Sequence, residues 1–306
     1  MRQLRRLLLT FAAGIALSGP ALADPAIWKV SDADSDIYLF GSVHLFTRDV
    51  DWRTPEFDSI LNSAEHVYFE VVMDLEAYSA ITQFTLTRGM VGGGKTLADL
   101  LEPEEFERLT SAAAAVGSDI VVLERMQPWL AAMTLAGGIG PKKMAGVETL
   151  VDAEIAPERK RSLETAAEQM GFLADTPLDE QIEGLMSAVE AIERGEIDTL
   201  DTLIDAWERG DTAALATLVN EQVKASDKAA YDTLITKRNE RWLTPIEQLL
   251  ADNDESLIIV GAAHLVGSGG VPKLLEQRGY TVERVDEPPP AGPPTGQQHP
   301  KTPQRR

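Results

Sequence analysis

Strand-forming sequence sits at the two ends of this chain, and that placement constrains the fold more than any other feature. Ile37-Tyr38-Leu39-Phe40 and Val67-Tyr68-Phe69 lie near the start; Leu257-Ile258-Ile259-Val260 and Thr281-Val282-Glu283-Arg284-Val285 lie near the end. The run 257–260 is continuously apolar, as a strand buried on both faces requires. The stretch between, roughly 74–250, carries helical periodicity. Leu178, Ile182, Leu185, Met186, Val189 and Ile192 make one apolar face, and Leu200, Leu203, Ile204 and Trp207 repeat the pattern. Pro128 predicts a helix start or kink, and Gly195 and Gly210 predict helix ends. Strands must lie side by side to bond. The pattern therefore predicts an α/β fold of mixed α+β character: a central sheet built from N- and C-terminal strands, with a large helical insertion between them. In open α/β sheets, sites form beyond the C-terminal ends of the strands.

Both termini read differently from this core. Residues 1–23 carry Arg2, Arg5 and Arg6, an apolar run from Leu7 to Leu17, and a small-residue site at Ala21-Leu22-Ala23. That is the pattern of a secretory signal peptide cleaved near Ala23, and it predicts a periplasmic or secreted protein. The tail 287–306 holds seven of the 17 prolines and reads as disordered. The expected domain is 24–286, with its helical middle at about 74–250. No later segment reaches about 18 consecutive apolar residues, so no transmembrane segment is expected. The chain has 28 Lys+Arg against 49 Asp+Glu, a net charge of −21 that becomes −24 without the basic leader. Nucleic acid needs dense positive charge and is excluded as a main partner. Oligomeric state is left open.

The chain has no cysteine. A thiol nucleophile and an iron–sulfur cluster are therefore excluded, a lipoprotein anchored through cysteine is not expected, and any metal site must use His and carboxylate. Of four histidines, His299 falls in the tail and His66 precedes a strand, at the end of the sheet away from a site. His44 lies in Gly41-Ser42-Val43-His44-Leu45, and His264 in Gly261-Ala262-Ala263-His264-Leu265. Each follows an apolar strand with the same G-x-x-H-L spacing, 220 residues apart. A strand-end glycine, Gly41 or Gly261, admits a sharp turn or a close neighbour. Glu70 ends the run Val67 to Phe69; an acid there is costly to bury unless paired or metal-bound. Two imidazoles and a carboxylate converging on strand ends make a ligand set for a divalent metal with open positions. The alternatives are loop histidines held by hydrogen bonds and an edge-strand glutamate.

These residues carry a resemblance. The chain resembles the TraB/GumN family, related to the Tiki metalloproteases and more distantly to the erythromycin-esterase and ChaN-like proteins. The match runs from Trp28-Lys29-Val30 through Tyr38 to His44, Tyr68-Phe69-Glu70, Gly146-Val147-Glu148 and Leu163-Glu164-Thr165. It continues to Arg238-Asn239-Glu240-Arg241-Trp242, Val260 to Gly267, and Gly279-Tyr280-Thr281-Val282. One G-x-x-H is weak; the ordered set is specific. The resemblance implies that His44, Glu70 and His264 form the active site and hold a divalent ion (Mn, Co or Zn), as in a metal-dependent peptidase. It also implies that Arg238 and Asn239 line the site and meet substrate or an oxyanion. The chain departs at Gly-Val-Glu, where the family often has Asp.

Gly89-Met90-Val91-Gly92-Gly93-Gly94-Lys95-Thr96 satisfies the phosphate-loop spacing G-x4-G-K-[ST]. The stretch Ala77 to Arg88 before it reads as helix rather than strand, and an exported protein meets little ATP, so nucleotide binding is set aside. A loop or lid is the plainer reading. Three functions remain: a metal-dependent hydrolase acting on a peptide or small molecule, a metal-independent esterase-like hydrolase, and a non-catalytic protein that sequesters a peptide, metal or haem-like ligand.

Overall fold

The computed structural model describes residues 24–138, 144–195, 197–219 and 228–285. The expected leader 1–23 and tail 287–306, with His299, lie outside them. Six strands form one mixed sheet: β1 (Ile27–Ser31), β2 (Asp36–Ser42), β4 (His66–Phe69), β6 (Lys160–Ser162), β7 (Ser256–Gly261) and β8 (Thr281–Arg284). Their order is β6-β4-β7-β2-β1-β8. β6, β4, β7 and β2 run parallel to one another, and β1 and β8 add antiparallel at one side. The sheet is built from both chain ends, with a helical region between its N- and C-terminal strands.

β7 sits between β4 and β2, and all six of its positions are buried, which is why its sequence is an unbroken apolar run. Phe40, Val67, Phe69 and Ile259 share one core with Phe57 and Ile60 of the helix Pro55–Ser63 and with Trp207 and Trp242. A second core joins the helices Pro103–Ala115, Pro128–Gly138 and Leu178–Glu193 through Leu109, Leu135, Leu185 and Val189. Pro128 opens its helix, and Gly195 and Gly210, both at positive φ, follow helix ends.

The stretch expected to be mostly helix contains a strand of the main sheet. β6 is Lys-Arg-Ser, half exposed at the sheet edge. A three-residue edge strand buries no apolar face, so it leaves no alternation to read. β3 (Leu45–Phe46) and β5 (Met144–Ala145) pair as a separate two-stranded ribbon. Before the Gly89–Thr96 segment stands the helix Leu75–Arg88, so the strand that a phosphate loop requires is not there. Among the described residues no helix is long and apolar enough to cross a membrane.

Candidate functional site

Parallel pairing places four strand ends in a row. β2 and β7 are in register at Ser42↔Gly261, and β7 and β4 at Ile259↔Phe69. β4 and β6 are in register at Phe69↔Ser162. The residues just past these ends are His44, His264, Glu70 and Glu164. Close packing of the loops makes this possible. A β-carbon on Gly41 would stand 3.1 Å from the Ala262 Cα, and the indole Nε1 of Trp207 donates to the Gly41 carbonyl at 2.6 Å.

Gly261 lies at the centre. A β-carbon there would be 3.3 Å from Glu70 Oε1, 3.5 Å from His44 Nε2 and 3.6 Å from His264 Cδ2. Glu70 Oε1 accepts the Gly261 N–H at 2.8 Å, and it lies 3.7 Å from His264 Nε2. The two G-x-x-H histidines and the strand-end glutamate therefore surround one small space. His66 sits at the opposite end of β4, its Nδ1 2.9 Å from Asp254.

The two imidazoles differ sharply. The His264 side chain is buried, its ring centroid 4.5 Å from that of Trp242. Asn239 Nδ2 donates to the carbonyls of His264 and Gly269 at 3.2 and 2.8 Å. This fixes the amide, so its Oδ1 is the atom facing His264 Nδ1 at 2.6 Å. Nδ1 must carry the proton, and Nε2 holds the lone pair. Burial pushes this imidazole down to about 3, so it is neutral at neutral pH. His44, by contrast, is 65% exposed, with Nδ1 2.7 Å from Glu148 Oε1. The hydrogen bond to Glu148 raises it to about 9; water around the open ring screens the pair and makes that the upper end. Glu148 lies in the first turn of the helix Val147–Asp152. It is brought there because the Gly146 and Val147 N–H groups bond the His44 and Val43 carbonyls, each at 3.1 Å. Ser42 Oγ also donates to Glu148.

Arg238 and Asn239 sit at the buried start of the helix Lys237–Ala251, just after a π-helical turn over Asp232–Thr236; such turns recur at functional sites. All five N–H donors of Arg238 are in use. Nε and one Nη2 hydrogen go to Glu164, Nε at 3.0 Å to Oε1 and 3.3 Å to Oε2; the other Nη2 hydrogen goes to Glu70 Oε2 at 2.6 Å. Nη1 reaches the Leu234 carbonyl and His264 Nε2, both at 3.2 Å. The guanidinium therefore holds protein groups, and in this arrangement it has no donor left for a substrate.

Burial alone would push the Glu70 carboxyl up. Positive charge at His264, Arg238 and His44, with the Gly261 N–H, reverses this and leaves it at about 2. Since His264 is uncharged at neutral pH, the Arg238 guanidinium is the main group that keeps Glu70 ionised. Glu164 is raised, first by burial and also by the Glu70 charge, against the pull of Arg238. Gln169 Nε2 bridges the two carboxylates, 3.1 Å from Glu70 Oε2 and 3.3 Å from Glu164 Oε1. Glu164, Gln169 and Glu148 were not among the expected site residues. The available signal was that Glu148 and Glu164 fall inside family-like segments.

Among the described residues no three His, Asp or Glu side chains stand together at ligating distances. The chemistry of the donor set nevertheless fits a divalent metal. Glu70 is ionised, His264 is neutral with its Nε2 lone pair held by Arg238 Nη1, a contact that a bound ion would have to replace, and the other nitrogen of each imidazole is bonded to an oxygen, as metal-ligating histidines require. A cavity of about 440 Å³ opens beyond β4 and β6, lined by Val71, Val72, Asp74, Ser162, Glu164 and Thr165.

A profile of the TraB/PrgY/gumN family matches residues 26–284. The chain belongs to this family. Comparison with curated proteins and with solved structures finds no match. Membership in the TraB/PrgY/gumN family spans every strand of the sheet and all the site residues described above.

Proposed function

We propose that this protein is an exported metal-dependent hydrolase acting on peptide-like substrates, with His44, Glu70 and His264 holding a divalent ion. One observation carries the reading. Both imidazoles bond an oxygen through Nδ1, Glu148 for His44 and Asn239 for His264; His44 Nε2 and Glu70 Oε1 both face Gly261, and His264 Nε2 lies 3.7 Å from Glu70 Oε1, where a bound ion would replace its Arg238 contact. A bound Mn, Co or Zn ion would lower the pKa of a water molecule and polarise a carbonyl.

The chain's own residues do the rest. Glu148 orients His44, and Asn239 sets the His264 tautomer. Arg238 keeps Glu70 ionised and in place. Gly261 leaves the space that the reacting group needs. Arg238 and Asn239 thus enter as positioning groups, and a direct role for Arg238 on an oxyanion requires it to release one present acceptor.

The test is metal content and peptide hydrolysis after chelation and reconstitution. Wild-type metal stoichiometry in a His44→Ala, His264→Ala double variant overturns the reading. The 2.7 Å pair of His44 and Glu148 allows a second one, in which His44, oriented by Glu148, is a general base without metal that works above its raised pKa; full activity in metal-free protein would select it. Stoichiometric ligand capture without turnover would select a sequestering role. Mass of the exported protein tests export: a product starting at Met1 removes the periplasmic or secreted assignment.

A further inference from the structure

We infer that Glu164 is a positioning residue that keeps one oxygen of Glu70 free for the site by occupying the fork of Arg238. An arginine beside a single carboxylate tends to bind it through two parallel N–H groups. Here the Nε/Nη2 fork is turned to Glu164, so Glu70 receives one N–H, at Oε2. Glu70 Oε1 is left to the Gly261 N–H and to the space shared with His44 and His264. The same clamp points Nη1 at His264 Nε2.

Glu164 stands two residues beyond β6, next to β4, so the sheet itself sets this spacing. It is held there by its N–H to the Glu70 carbonyl at 3.0 Å. Gln169 supports the arrangement by donating to both carboxylates. Arg238 Cζ lies 5.8 and 4.9 Å from the ring centroids of Phe172 and Trp242, and these contacts restrict the guanidinium. Remove the charge on Glu164 and Arg238 has one full carboxylate left, Glu70. It closes on both oxygens and withdraws Oε1 from the site.

The substitution Glu164→Gln keeps the size and one acceptor but removes the charge. Two measurements follow on the full chain. The first is the ¹⁵N shift of the His264 imidazole in metal-free protein, which reports the Arg238 contact at Nε2 whether or not a metal is ever bound. The second is affinity for Mn²⁺ and Zn²⁺ alone by calorimetry, which rests on the function proposed above. Glu164→Gln should move the His264 Nε2 shift and weaken metal binding about tenfold or more, in the range seen when outer partners of metal ligands are lost. A group that only fills space would leave both unchanged in the folded variant. Wild-type shifts in folded Glu164→Gln overturn the inference. If the shifts move while wild-type protein binds no metal, Glu164 keeps its role and the metal reading fails. Should Glu164→Gln not fold, Gln169→Ala gives the same readout: a moved His264 shift supports the clamp, and an unchanged one overturns it.

Discussion

Metal uptake should release a proton, and the proton should come from His44. Among the three residues proposed to hold the ion, Glu70 sits at about 2 and His264 at about 3, so neither has a proton to lose at neutral pH. His44 sits near 9 in the metal-free protein because Glu148 stabilises its imidazolium. A ligand must be deprotonated to bind, so metal binding displaces that proton. At pH 7 a group of pKa 9 is about 99% protonated, and wild-type protein should release about one proton per metal ion. Replacing Glu148 with Gln removes the charge responsible. With the pKa back near 6.5, release at pH 7 falls to about 0.24 proton.

Screening of the exposed ring does not erase this contrast. Even a residual shift of one unit, to about 7.5, leaves wild-type release near 0.76, three times that of the variant. The slope of log affinity against pH should likewise be about one in wild-type protein below the His44 pKa, and near zero in Glu148→Gln above about pH 7. The assay is calorimetric metal titration in buffers of different ionisation enthalpy, whose spread gives the number of protons. Equal release by the two proteins would refute the assignment of His44 as the protonated ligand.

Three further outcomes are expected. Gly261→Ala adds a methyl 3.3 Å from Glu70 Oε1 and 3.5 Å from His44 Nε2; it should fold with a melting temperature near wild type, yet lose at least about tenfold in metal affinity or hydrolysis. Asn239→Leu leaves His264 Nδ1 and two carbonyls without their partner, so urea unfolding should show a loss of about 3 kcal/mol. Stability of the metal-free protein should peak near pH 6.5. The contribution of His44 is complete below 6.5 and fades as pH rises through about 9, whereas that of Glu70 is complete above 4.5 and fades toward about 2. Between 6.5 and about 3 the unfolded chain takes up a proton that buried His264 refuses, which also lowers stability as pH falls. Urea midpoints at pH 4.5, 6.5 and 9 check the curve, and a His44→Gln variant should flatten its alkaline arm.

The parts of the fold legible in sequence are those that bury apolar faces. β7 is sealed on both sides and reads as Leu-Ile-Ile-Val; the helix Leu178–Glu193 buries Leu185 and Val189 and shows their spacing. What escaped is held by backbone and charge. β6 reads Lys-Arg-Ser and is a strand because β4 offers it a free edge. Glu148 and Glu164 look like other acids in a chain with 49 Asp and Glu. Their importance comes from partners 104 and 74 residues away, His44 and Arg238, and no local pattern encodes such a pairing. Arg238 was legible as a residue near the site, but its saturation by five acceptors was not, because four of them arise elsewhere in the chain.

The matched G-x-x-H-L motifs suggest two equivalent histidines, and the sheet makes them unequal. β7 is an interior strand, and the loop after it is covered by the helix that carries Trp242: His264 packs against that indole and is held neutral. β2 is equally interior, but His44 follows it into the β3–β5 ribbon, where the ring stays open to water and meets a carboxylate. Identical spacing thus yields one imidazole with a fixed tautomer and no proton to give at neutral pH, and one that carries a proton and can lose it. The function proposed above, binding an ion and then moving protons, would use both kinds. Here the difference comes from what each loop packs against, Asn239 and Trp242 for one and Glu148 for the other, and not from the motif itself.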